Sequence, residues 1–251
     1  MKINTNGNIY TFLYASVMVI IVAFGLTFAA MKLQPAQDKN VRTEKMQNLL
    51  QTILSEEKIQ EGNIEELYDK YIVKQYAVGA NGEVLIEGKN EAEENEVFNI
   101  DLKTEIRKTG YENRRLPVYK AELDNGEKKT ILPLRGNGLW GPVWGYIALD
   151  EDYNTIFGAV FDHQGETPGL GAEINQPFFQ DQFKGRKLFD GDRLISITVY
   201  KGGKGAAEAA GDTKHGVDGI SGGTITSNGI DAMFKTDWLY AYEEYLKQNR
   251  K

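Results

Sequence analysis

The sequence has no cysteine and only two histidines, His163 and His215. Disulfides, thiolate metal sites, iron–sulfur ligation and cysteine nucleophiles are therefore excluded within the chain. A histidine-rich zinc or haem site is equally out of reach. Net positive charge is missing too: the formal charge is −7, which leaves no basic footprint for nucleic acid. There is no internal repeat and no low-complexity segment. What remains is an ordinary globular balance, 41% hydrophobic and 26% charged over 251 residues. That length suits one membrane segment and one domain of roughly 200 residues with its own core.

One long hydrophobic run is present. Residues 9–31, IYTFLYASVMVIIVAFGLTFAAM, carry no charge. As a helix the run would be roughly 34 Å long, enough to cross a hydrocarbon layer of about 30 Å. Tyr10 and Tyr14 lie near one end, as interfacial aromatics do. A cleaved signal peptide is the alternative, with Phe28-Ala29-Ala30 as a weak cleavage site, although signal cores are usually shorter. Lys2 precedes the run, and Lys32, Lys39, Arg42 and Lys45 follow it. Taken alone, the positive-inside rule puts the following domain in the cytoplasm.

Beyond the run, Val41, Met46, Leu49, Leu50, Ile53 and Leu54 recur at helical spacing, and a second short helix is expected over 64–72. Strand signals then dominate. The segment 76–86 carries Asn81-Gly82, a two-residue hairpin turn. Residues 87–96 are acidic and read as a solvated loop. Segments 116–123 and 128–134 flank Asp124-Asn125-Gly126, a second hairpin. Further strands are expected at 145–149, 155–161 and 194–201. A short helix is expected over 177–184, with Phe178, Phe179 and Phe183 buried. Ile230, Met233, Phe234, Trp238, Leu239, Tyr242 and Leu246 mark one face of a closing helix. Strands in the middle and helices at both ends predict an α+β domain with a mixed or antiparallel sheet, preceded by the transmembrane helix. The chain divides into a tail (1–8), the transmembrane helix (9–31), a helical linker region (32–75) and the α+β domain (76–251).

The segment DGISGGTITSNG, 218–229, holds most of the chemistry. Gly222 and Gly223 allow positive φ and close approach to the backbone. Thr224, Thr226 and Ser227 crowd a helix start, whose free N–H groups and partial positive charge suit a phosphate. By composition alone the segment also reads as a glycine turn with a Ser/Thr cap.

Asp218-Gly219-Ile220-Ser221-Gly222-Gly223-Thr224 resembles the flavinylation motif Asp-x-x-Ser/Thr-Gly-Ala-Thr of FMN-binding domains. In that family a flavin transferase uses FAD and magnesium to join FMN through its phosphate to the last threonine. The resemblance makes Thr224 the attachment residue, with Thr226 as runner-up. The chain departs from the pattern at Gly223, which stands where alanine is usual and is expected to keep room for the phosphate. Residues 134–146, LRGNGLWGPVWGY, resemble the Arg-Gly-x-Gly-Leu-Trp segment of the C-type subunit of sodium-pumping NADH:quinone oxidoreductases. His163-Gln164-Gly165-Glu166-Thr167-Pro168-Gly169-Leu170-Gly171 resembles the same family's Glu-Thr-Pro-Gly-Leu-Gly loop.

The resemblance implies a covalent FMN that passes electrons one at a time within a six-subunit membrane redox complex, with the domain outside the cytoplasmic membrane. FMN contacts are expected from Thr224, Ser221, Gly222, Gly223, Thr226, Leu139, Trp140, Glu166, Thr167, Gly169 and Leu170. Leu139, Trp140 and Leu170 suit the flat isoalloxazine face, and backbone groups near Glu166, Thr167 and Gly169 suit its edge. Trp144 is expected in the core and His163 in a structural hydrogen bond. Lys214 and His215 are candidates for the phosphate, and Arg135 either clamps a phosphate or holds a turn. No catalytic dyad and no metal site are expected. Two other readings stay open: the G-type subunit of an Rnf-type ferredoxin:NAD oxidoreductase, and an anchored binding or scaffold module without a cofactor.

Overall fold

The computed structural model describes residues 7–88, 96–107, 110 and 113–250. The chain separates into two units, Met1–Lys45 and Met46–Lys251. Helix α1 (Asn8–Gln51) starts in the first unit and ends in the second. In the first unit its apolar side chains are exposed, with Ile9 and Phe12 both at 80%. The helix is long and apolar enough to cross a membrane, and its exposed apolar surface suits a lipid environment.

The second unit continues with α2 (Glu56–Glu61) and α3 (Ile64–Tyr71). Asn63 starts α3 by accepting hydrogen bonds from the N–H groups of Glu65 and Glu66 at 2.9 and 3.3 Å. Then follow β1 (Ile72–Val78), β2 (Val84–Gly88), α4 (Leu102–Ile106), β3 (Leu116–Glu122), β4 (Lys128–Asn137), β5 (Pro142–Leu149) and β6 (Ile156–His163). These six strands form one antiparallel sheet in the order β2-β1-β3-β4-β5-β6. The chain closes with α5 (Pro177–Gln180), β7 (Phe189–Asp190), β8 (Arg193–Leu194), β9 (Thr198–Tyr200), α6 (Ala206–Ala209), β10 (Gly216–Asp218), α7 (Thr224–Ala232) and α8 (Glu243–Asn249). β9 and β10 pair in parallel, and β7 and β8 antiparallel.

Both faces of the sheet are covered. Leu132, Leu134, Val143, Ile147 and Leu149 join the core formed with Phe179, Phe183, Ile230, Phe234 and Trp238. Ile131, Tyr146 and Ala148 point the other way, onto Met46, Leu49, Leu50, Tyr68 and Tyr71. Residues 46–71, part of the stretch grouped with a linker on sequence, therefore pack directly on the sheet. The approach is close: a Cβ on Gly158 of β6 would lie 2.2 Å from the Thr52 carbonyl oxygen.

The α+β class with an antiparallel sheet is as expected, and four local expectations are corrected. The β1–β2 connection is a five-residue loop between Val78 and Val84, with Gly82 at φ +82, rather than a two-residue turn. The strand expected over 194–201 breaks at Ser196, which is buried at φ +66 and donates its hydroxyl to the Phe234 carbonyl at 2.7 Å. Phe178 is 60% exposed, because Phe179 and Phe183, four apart, take the inward side of that helical turn. The closing helix is interrupted by a π turn at Met233–Asp237 and a 3-10 turn at Leu239–Tyr242. There Arg114 donates to the Asp237 carbonyl at 2.6 Å and lies over the Trp238 ring. All seven marked apolar residues are nonetheless buried. Most of the acidic loop, 89–95, lies outside the described residues.

Candidate FMN site

Three segments distant in sequence meet at one place. The first is the β4–β5 hairpin, closed by the Asn137–Pro142 pair and a bond from Gly138 N–H to the Gly141 carbonyl at 2.7 Å. Its tip carries Leu139 and Trp140, which are 51% and 70% exposed. The second is the loop after β6. Its Thr167-Pro168-Gly169-Leu170 turn is closed by Leu170 N–H to the Thr167 carbonyl at 3.1 Å, with Gly169 at φ +76. Pro at the second and Gly at the third position are the residues such a turn demands. Thr167, Gly169 and Leu170 are all exposed there.

The third is the turn into α7. Gly223 N–H donates to the Ile220 carbonyl at 3.1 Å, with Gly222 at φ +77. The Ser227 hydroxyl accepts from Ile220 N–H at 2.9 Å, so Ser227 ties the helix back to the turn. Gly223 is the N-cap and brings no side chain to the first-turn N–H groups. Those groups and the helix dipole point at whatever sits beside Thr224. Ser221, Thr224 and Ile225 are exposed; Thr226 and Ser227 are buried.

Glu166 joins the three. Its side chain is 5% exposed. One carboxylate oxygen accepts from Trp140 N–H at 2.8 Å and the other from the Thr226 hydroxyl at 2.5 Å. Its own N–H donates to His163 Nδ1 at 3.1 Å, the structural hydrogen bond expected of that histidine. Glycines make the convergence possible. A Cβ on Gly138 or Gly171 would lie 2.5 Å from a Glu166 oxygen, and one on Gly222 would lie 2.7 Å from Leu170 Cδ2. Gly229 of α7 sits so close to β4 that its Cβ would be 2.1 Å from the Asn137 carbonyl oxygen.

The departure at Gly223 has a local explanation. Its missing methyl would point at Ile220 and at the Gly171 nitrogen, 3.1 and 3.2 Å away. The glycine relieves inward packing instead of making room on the exposed side. Asp218, first in the motif, is also used internally: its two oxygens accept from Gly205 N–H at 2.6 Å and Ala207 N–H at 2.8 Å. His215 is buried with its ring Nδ1 2.6 Å from the Lys187 carbonyl oxygen, which disfavours it as a phosphate ligand. Arg135 lies mid-strand opposite Trp144 and holds no turn. Trp144 packs, half-buried, against the core beneath α1 and α3. Sequence reasoning named Glu166 only for its backbone; the side chain's role was missed. The one available signal was its place in a glycine-rich loop. Among the described residues no cluster of potential metal ligands occurs.

Residues 138–237 match the family model of the FMN-binding domain. The match begins at the hairpin tip and ends after α7, so it contains all three converging segments. The C-type subunit of the Na(+)-translocating NADH-quinone reductase of Haemophilus ducreyi is 33% identical over 242 residues, covering 93% of this chain and 91% of that protein. The chain belongs to this C-type subunit family. The Neisseria meningitidis serogroup B member is 32% identical across 93% of the chain and 89% of that protein. The crystal structure of the Parabacteroides distasonis member is 40% identical with a TM-score of 0.69, over 85% of this chain and 96% of that one. Shewanella oneidensis NqrC gives 26% identity and a TM-score of 0.63, over 83% of this chain and 97% of that one.

Proposed function

We propose that the chain carries FMN esterified through its phosphate to Thr224 and serves as an electron-relay subunit of a Na(+)-translocating NADH:quinone reductase. The observation that carries this reading is the contrast between the two threonines of the α7 start. Thr224 is exposed, beside uncapped helix N–H groups. Thr226 is buried and spends its hydroxyl on Glu166, so it offers no access to a modifying enzyme. In the attachment step the Thr224 oxygen forms a bond to the FMN phosphorus of FAD, the pyrophosphate bond breaks and AMP leaves. The hydroxyl proton passes to a base of the flavin transferase. The phosphodiester that remains keeps one negative charge, which the helix start favours.

The surroundings fit a flat ring. Leu139, Trp140, Leu170 and Ile225 are all exposed apolar side chains on the three segments that converge at Glu166. Exposed apolar groups concentrated at one place mark a surface that is covered in use. The Thr167 carbonyl already accepts from Leu170 and Ala172 N–H, and the Gly169 N–H donates to Glu173 Oε1 at 2.8 Å, which leaves the Thr167 N–H and the Gly169 carbonyl for the ring's polar edge. When bound, FMN supplies the electron transfer, while these residues set its position and exclude water from one face. No proton-transfer group is required of the protein for that role.

The proposal extends to placement: α1 anchors the chain in the cytoplasmic membrane with the domain outside, among the other subunits of a six-subunit complex. Protease added to intact spheroplasts should then cleave the domain; a protected domain contradicts the placement. Denaturing gels under ultraviolet light test the cofactor. Full-length chain made with its transferase should give a fluorescent band that Thr224→Ala abolishes. A dark wild-type band supports a scaffold without flavin.

A further inference from the structure

We infer that Glu166 is a positioning residue whose side chain locks the hairpin tip carrying Leu139 and Trp140 to the first turn of α7, so that ring-stacking groups and attachment hydroxyl move as one body. The inference rests on the FMN reading above for its functional meaning, while its mechanical part stands on geometry alone. Both oxygens act as acceptors, one for a backbone N–H 26 residues before it and one for a hydroxyl 60 residues after it. No other side chain links these two segments by a hydrogen bond or ion pair among the described residues. The carboxylate has no cationic partner in any ion pair there either, so its placement is fixed by the two donors and by the glycines that admit it.

Gly138 and Gly171 sharpen the argument. A Cβ on Gly138 would lie 2.5 Å from one Glu166 oxygen, and a Cβ on Gly171 would lie 2.2 Å from the Thr226 hydroxyl and 2.5 Å from the other Glu166 oxygen, so the bonded pair itself occupies that space. A shorter Asp would withdraw the carboxyl from at least one donor. A Gln keeps the shape but offers a single acceptor oxygen. An Ala leaves Trp140 N–H and the Thr226 hydroxyl without their partner and opens a void beneath the tip.

The test uses the full chain in detergent, first without flavin. Hydrogen exchange is followed in wild type, Glu166→Ala, Glu166→Gln and Thr226→Val. In Glu166→Ala the Trp140 amide should exchange at least about tenfold faster, with peptides over 138–141 and 222–227 changing together and those from β1 and β3 unchanged. Glu166→Gln should be intermediate at Trp140. Thr226→Val should loosen 222–227 while leaving Trp140 slow. Unchanged exchange at Trp140 in Glu166→Ala overturns the inference, as does a uniform rise across the whole sheet, which signals general destabilisation.

The second readout uses flavinylated protein, with attachment verified by peptide mapping. The visible circular dichroism of the flavin, which reports ring orientation, should weaken in Glu166→Ala and be partly restored in Glu166→Gln. Faster Trp140 exchange with an unaltered flavin dichroism contradicts the positioning role. Wild type that takes up no flavin at all contradicts the FMN reading and leaves the exchange result to decide the mechanical link.

Discussion

Replacing Gly229 by alanine places a methyl group 2.1 Å from the carbonyl oxygen of Asn137 and 2.9 Å from its carbon. Both atoms are backbone within β4, which pairs with β5 through Asn137–Pro142, so neither yields cheaply. The part of α7 around Gly229 must lift instead. Overpacking of this kind costs about 3 kcal/mol at the upper end of its usual range. Alanine returns about 1 kcal/mol of helix propensity. The net loss is about 2 kcal/mol, which for a domain of this size lowers the melting temperature by about 4–8 °C. Gly165→Ala is the matched control: nothing lies within 4 Å of its Cβ position and it needs no positive φ. Thermal unfolding of both variants in the same detergent is the assay. A Gly229→Ala variant as stable as wild type, or more so, refutes the close-approach argument, because propensity alone predicts a gain.

Other expectations follow from the same geometry. Phe179→Ala should cost about 3–5 kcal/mol in a urea titration, since Phe179 is fully buried against Phe161 and Phe183; Phe178→Ala should cost nothing measurable. Asn63→Ala should cost about 1 kcal/mol, from the lost cap of α3, and Asn63→Asp should restore most of it. Burial raises the phenol pKa values of Tyr68, Tyr119, Tyr242 and Tyr245 above the ordinary value and pushes that of Tyr76 up to about 12. The unfolded chain ionises these groups first, so their stability contribution is complete below about pH 10 and disappears as pH rises beyond it. Ultraviolet titration should show these tyrosines ionising only together with unfolding; early, complete ionisation of a folded chain contradicts the burial.

The sequence revealed the ladder of strands better than the way the ladder is covered. The β3–β4 hairpin was legible because Asp124-Asn125-Gly126 supplies the left-handed residue, Gly126 at φ +82. β4 and β5 show no polar alternation, and the reason is visible only in three dimensions: helices lie on both faces. The closing segment carried a true helical pattern of buried residues, but spacing alone does not reveal the π turn where Arg114 meets Asp237 and Trp238. At the site, local motifs marked the glycine turns and the proposed attachment position, Thr224. The Glu166 link was not legible, because its partners are 26 and 60 positions away and no local period connects them. The resemblance put Thr224 ahead of Thr226; what it did not reveal is that the fold buries Thr226 on Glu166 and leaves Thr224 exposed.

Tandem mass spectrometry of proteolytic peptides covering 216–232, from full-length chain produced alongside its flavin transferase, measures the modification residue by residue. The account predicts FMN less water on Thr224, with Thr226 bare, and an unmodified peptide from Thr224→Ala. FMN found on Thr226, or on neither threonine, contradicts it.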